Sequence, residues 1–245
     1  MTAPPPEFAD PGARVPIEVS GEGLVPADQG SYRWKDALRT SDTQSFAPIH
    51  DGPVNERFVK EEHHNAYGRP WALGRYEFDF LRSCGVTPDH RVLEFGCGCG
   101  RLGVWLIPYL NAKRYFGIDA HARSLEAFAT YEVPLHQLAP KQPRLLLNRT
   151  FDLDHFGEQF DVIVDCYSSF HCDEADTRTV FAAFARTLRP GGLYIGMPAP
   201  KLDDDALHTM GLRRTRHEMQ PCPLLEGHSW QSDNEWVVYE RMNVG

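Results

Sequence analysis

Short apolar runs alternate with amphipathic stretches between positions 91 and 197, and this alternation restricts the fold more than any other feature of the chain. Residues 91–95, 114–118, 145–147, 160–166 and 193–197 are brief β-branched or apolar runs that read as strands. Residues 102–110, 122–131 and 177–188 read as helices. The last of these spaces Val180, Phe181, Phe184, Ala185 and Leu188 along one face and stops at Pro190-Gly-Gly. Strands joined through helices make right-handed crossovers, so the expected fold class is α/β, a doubly wound and mostly parallel sheet with helices on both faces. Residues 212–219 and 235–242 look like strands with no helix between them, and close one edge as an antiparallel pair. The expected sheet therefore has seven strands, entered through a helix over residues 70–84.

What precedes this pattern differs in composition. Residues 1–30 are rich in proline and glycine and poor in large apolar side chains, so burial cannot repay their ordering; they read as a flexible arm. Residues 31–69 are mixed and dotted with aromatics, and read as a lid over the main domain of residues 70–245. With 245 residues, 42% of them hydrophobic, the chain has material for one sizeable core. A formal charge of −9 argues against a nucleic-acid backbone as principal partner. No run approaches the ~18 apolar residues that cross a bilayer, and the N-terminus lacks the basic start and apolar stretch of a signal peptide, so a cytoplasmic protein is expected. The six cysteines contain no pair of CxxC units and read as reduced, packed thiols.

The segment from Val92 to Gly103, VLEFGCGCGRLG, runs from a strand through glycines into a helix. In open α/β sheets ligands sit beyond the carboxyl ends of the strands, where glycines let the backbone approach them closely. Two registers compete. Gly96-x-Gly98-x-Gly100 behind Glu94 is one; Gly98-x-Gly100-x-x-Gly103 is formally the dinucleotide fingerprint.

The first register, taken with three later segments, resembles the class I S-adenosylmethionine-dependent methyltransferases. The residues that carry the resemblance are Glu94, Gly96, Gly98 and Gly100; Phe116-Gly-Ile-Asp119, an acid ending the second strand; Phe160-Asp-Val-Ile-Val164; and Leu188-Arg-Pro-Gly-Gly-Leu193. The resemblance covers roughly residues 70–242, and implies S-adenosyl-L-methionine as cofactor. Glu94 suits a ligand bearing an ammonium and a sulfonium, and Asp119 is placed to accept hydrogen bonds from both ribose hydroxyls, with a helix cap as its alternative. Asn148 and Asp152 lie where the family lines the adenine, and Asp165 ends the fourth strand beside the cofactor.

The methyl acceptor is expected beyond that strand, near Asp165-Cys-Tyr-Ser-Ser-Phe-His171. His171 is the leading candidate for a general base, with a loop brace as the competing reading, and Tyr167 is the second candidate. Ser168 would line the acceptor pocket together with His63, His64 and Tyr67 of the lid, although a solvated pair is the plainer reading of adjacent histidines. No metal is expected. The resulting reading is methyl transfer to a small-molecule acceptor, at oxygen ahead of nitrogen or carbon. A protein or RNA acceptor, a non-catalytic scaffold that binds S-adenosylmethionine, and an NAD(P)-dependent oxidoreductase are the alternatives.

Overall fold

The computed structural model describes residues 15–20, 73–220 and 234–243. Eight strands form one sheet: β1 (Ile17–Val19), β2 (Val92–Phe95), β3 (Tyr115–Asp119), β4 (Arg144–Leu147), β5 (Phe160–Cys166), β6 (Leu188–Met197), β7 (Leu212–Met219) and β8 (Glu235–Arg241). Their order across the sheet is β1-β4-β3-β2-β5-β6-β8-β7. The first six run parallel to one another, and β8 runs antiparallel to both β6 and β7. The doubly wound sheet with its antiparallel end pair is thus present.

The helices are α1 (Arg75–Ser83), α2 (Gly103–Tyr109), α3 (Ala122–Ala127, continued by a π turn at Phe128–Glu132 and a last turn at Val133–Leu135), α4 (Glu174–Thr187) and α5 (Asp204–Thr209). Two carboxylates start helices in the expected way: Asp173 accepts from the Asp176 N–H ahead of α4, and Asp203 from the Ala206 N–H ahead of α5. The acidic run Asp203-Asp-Asp205 therefore serves as a helix start. On one face of the sheet Leu81, Leu102, Leu106, Ile107 and Phe128 pack against Val162, Val164 and Trp236. On the other, Phe181 and Phe184 of α4 meet Leu93, Phe116, Ile163 and Tyr194. The central strands are covered on both sides, which is why they read as continuous apolar runs.

Two departures from the sequence reading have physical causes. The N-terminal arm is not without structure: Ile17–Val19 pairs in parallel with Leu145–Leu147 as an eighth strand. Arg144 clamps it there, donating from Nε and Nη2 to the two carboxylate oxygens of Glu18, each at 2.7 Å. A bond between positions 126 residues apart leaves no local signal. Secondly, β6 starts at Leu188 instead of 193. Its Arg189-Pro-Gly-Gly192 stretch is drawn into the ladder as an irregularity between the Phe160↔Leu188 and Val162↔Leu193 pairs. Trp105 and Trp236 pack as core residues, Trp236 face to face with Phe80 at a ring separation of 3.9 Å. Trp71, Trp230 and the lid lie outside the described residues.

Candidate active site

The turn after β2 is built on glycines in the left-handed region: φ is 75° at Gly96, 55° at Gly98 and 92° at Gly100. Only the absence of a Cβ makes three such residues cheap within five positions. A Cβ on Gly100 would lie 2.5 Å from the Phe128 ring, and one on Gly96 would overlap Ser168. Gly103, the last glycine of the rival register, packs against Phe128 and the Tyr115 hydroxyl, so its smallness serves helix-to-sheet contact.

Asp119, at the end of β3, faces this turn. It accepts from the Gly98 N–H and the His121 N–H, each at 2.7 Å, and so ties the glycine turn to the start of α3. Each carboxylate oxygen can accept a second hydrogen bond, so ribose hydroxyls can be received as well. Burial raises Asp119 to about 6, against the pull of its backbone N–H donors. Glu94 is also buried and receives the Tyr115 hydroxyl on Oε2 at 2.7 Å. Desolvation there outweighs the hydrogen bond and pushes Glu94 up to about 8.

Beyond β4, Asn148 spends its amide locally, donating to the Asp152 carbonyl and accepting from the Thr150 N–H. Asp152 is exposed, with one carboxylate oxygen taking the Asp154 N–H. Asp165 accepts from the Ser168 and Ser169 N–H groups at 3.0 and 3.1 Å and from the Tyr194 hydroxyl at 3.2 Å. Its carboxylate holds the turn that carries Tyr167 and Ser168. That turn brings Ser168 against Gly96, its Oγ donating to the Gly96 carbonyl at 3.4 Å. Tyr167 has φ 66° and donates from its hydroxyl to Asn234 Oδ1 at 3.1 Å. His171 ends a short 3-10 turn, Ser169–His171; its ring meets Phe170, and no described residue hydrogen-bonds to it. Burial, aided by the positive Lys201, lowers its pKa, so the imidazole is neutral near pH 7.

Glu94, Gly96, Gly98, Gly100 and Asp119 thus converge on one edge, joined there by Ser168 and Tyr167. His63, His64 and Tyr67 fall outside the described residues. Sequence reasoning missed Glu77 and Arg101. Glu77 of α1 is fully buried, and its Oε1 lies 2.8 Å from Nη2 of Arg101, the residue after the glycine turn. Arg101 stands 5.7 Å over the Tyr167 ring. Its position directly after Gly100 was the one available signal. Asn234, also missed, is completely buried beside Tyr167.

The sheet order, the left-handed glycine turn and the acid ending β3 define the α/β fold of class I methyltransferases. Residues 93–194 match the sequence family described as "Methyltransferase domain". Magnesium protoporphyrin IX methyltransferase from Synechocystis PCC 6803, solved with bound S-adenosylmethionine, superimposes with a TM-score of 0.57 and 15% identity over 91% of this chain and 100% of that one. The N-methyltransferase NodS from Bradyrhizobium japonicum WM9, in complex with S-adenosyl-L-homocysteine, gives 0.54 and 18% over 77% and 99%. The CcbJ methyltransferase from Streptomyces caelestis gives 0.54 and 13% over 71% and 97%. At these identities the likeness is one of fold. No helix among the described residues is long and apolar enough to cross a membrane.

Proposed function

We propose that the chain transfers the methyl group of S-adenosylmethionine to an oxygen of a small molecule, with His171 as general base. The observation that carries the choice of oxygen is the His171 imidazole, neutral near pH 7, without a hydrogen-bond partner among the described residues, and three positions past Ser168 on the glycine turn. The net charge of −9 supports a small acceptor over a polyanionic one. One fold neighbour is named for a magnesium protoporphyrin, which supports the reading of a small-molecule acceptor.

The cofactor supplies a methyl group on a positively charged sulfur, which departs as a neutral thioether. The chain's own work is then positioning and one proton transfer. The glycine turn admits the cofactor against backbone, Asp119 receives the ribose hydroxyls, and Glu94, when ionised, offers negative charge to the cationic end. The exposed Asp152 and the loop that Asn148 shapes border the adenine. Tyr167 and Ser168 form the wall toward the acceptor, and His171 takes the hydroxyl proton as the acceptor oxygen attacks.

Calorimetry with S-adenosylmethionine and S-adenosylhomocysteine tests the cofactor assignment directly; binding of neither overturns it. Asp119→Ala should weaken both ligands by about 1–3 kcal/mol, the cost of lost hydrogen bonds to a charged group. Unchanged affinity would mean that the ribose lies elsewhere. A panel of phenols, carboxylic acids and amines, scored by transfer of a labelled methyl group, tests the acceptor class. On the acceptor so found, His171→Ala should lower kcat by about 10²-fold or more and remove the acidic limb of the pH profile. A loss of only a few-fold at neutral and low pH would leave His171 as a brace of the β5 turn.

A further inference from the structure

The chain leaves β5 and β6 side by side at the carboxyl edge of the sheet. Cys166 pairs with Met197 in the last rung, and the Tyr167 N–H then donates to the Met197 carbonyl at 2.7 Å. Two short loops follow, one carrying Phe170, His171 and Cys172 and the other Lys201. They meet through Lys201, whose Nζ donates to the Cys172 carbonyl at 3.0 Å and stands 5.1 Å from the centroid of the Phe170 ring. That ring meets the His171 imidazole edge to face at 5.6 Å. An ammonium, a phenyl ring and an imidazole are thus gathered where the two loops leave the sheet.

The fold leaves the first two of these groups unspent. Phe170 is 45% exposed, the only aromatic side chain so placed among those described. Lys201 can donate three hydrogen bonds, the Cys172 carbonyl takes one, and no carboxylate of a described residue pairs with it. By contrast the exposed Arg189 of β6 and Arg214 of β7 hold Asp161 and Asp204, each at 2.6 Å. The acids nearest Lys201 and Cys172 in sequence face helix starts instead: Asp203 takes the Ala206 N–H and Asp173 the Asp176 N–H. In a chain of net charge −9, a cation without a counter-charge at the ligand-binding edge leaves a place for an anion from outside.

Resting on the oxygen-transfer reading above, we propose that the acceptor is a phenolic acid, its carboxylate paired with Lys201, its ring against Phe170 and its hydroxyl presented to His171. The carboxylate is a handle and not the methylated atom. A phenol, with a pKa of about 10, suits a neutral imidazole as base far better than an alkyl alcohol does. Lys201 then determines specificity for the acid, and Phe170 supplies apolar contact to any aromatic body.

The test uses three matched pairs: hydroxybenzoic, hydroxycinnamic and hydroxyphenylacetic acids against their methyl esters. Each is titrated into the full chain by ligand-observed NMR, with and without S-adenosylhomocysteine. At least one acid should bind about fivefold tighter than its ester, the scale of a solvent-facing ion pair. Lys201→Met should bring that pair to within about twofold of each other, whereas Lys201→Arg should keep the preference. Phe170→Ala should weaken acid and ester alike, by about threefold. Both side chains are exposed, so these variants should fold as the wild type does. Acids that bind no better than their esters, or not at all, overturn the proposal, as does a preference that survives Lys201→Met or affinities untouched by Phe170→Ala. Transfer of a labelled methyl group to the carboxylate, giving the ester in place of the ether, overturns it too. An acid held through Lys201 but never methylated leaves the anion site standing and overturns the oxygen-transfer reading instead.

Discussion

Gly100→Ala should lower the stability of the chain by about 3 kcal/mol and its Tm by roughly 10 °C, as measured by urea and thermal denaturation. Two costs add. At φ 92° an L side chain sits in a conformation that costs roughly 1–2 kcal/mol. The new methyl group would also stand 2.5 Å from the ring of Phe128, which is fully buried between α3 and the sheet and edge-on to Tyr115. A rigid ring in a packed core cannot swing aside as a surface side chain would. Either Phe128 shifts and loosens α3, or the glycine turn moves and pulls the Gly98 N–H off Asp119. The second route should also weaken S-adenosylhomocysteine binding at least tenfold. A Tm within about 2 °C of the wild type would show that the turn relaxes without cost.

Glu94→Gln should separate stability from ligand binding. Burial lifts the carboxyl of Glu94 from 4.5 to about 8, so ionising it opposes folding. The sign follows from linkage: its favourable contribution is fully present below about pH 4.5 and is lost as pH rises through about 8. Glutamine does not titrate and can keep the hydrogen bond from Tyr115. The variant should match the wild type at about pH 5 and exceed it at about pH 9, by up to roughly 4 kcal/mol if the whole penalty is recovered. At about pH 9, where the wild-type carboxyl is ionised, calorimetry should show the opposite trend for the methyl donor, with affinity falling about tenfold or more because a neutral amide replaces the charge offered to the cationic end. A variant less stable than the wild type at both pH values would mean that Glu94 is held by contacts worth more than its desolvation.

Much of the architecture was legible because it is local. The strands β2, β3 and β5 are mostly apolar runs of four to seven residues, and α4 carries an apolar stripe behind its capping aspartate. The donor end of the site was readable for the same reason, since Glu94, the three glycines and Asp119 lie within 26 residues at fixed spacing. What escaped were long-range pairings. Glu77 looks like an ordinary polar position on an amphipathic helix until Arg101 is seen beside it, 24 residues away. Asn234 gains meaning only from the Tyr167 hydroxyl, 67 residues distant in sequence. The Asp165 carboxylate, expected at the cofactor, is engaged by the turn it precedes, because three donors in that turn and in β6 reach it first.

The eighth strand brings the chain to the carboxyl edge of the sheet at a second place. Ser20 follows β1 at the carboxyl edge, its N–H bound to the Leu147 carbonyl, next to Asn148. Gly74 precedes α1 packed against the carbonyl of Arg101, on the other side of the glycine turn. The two tether points thus flank the cofactor edge. The Glu18–Arg144 clamp, remote from the chemistry, thereby fixes where the chain leaves β1 beside that edge.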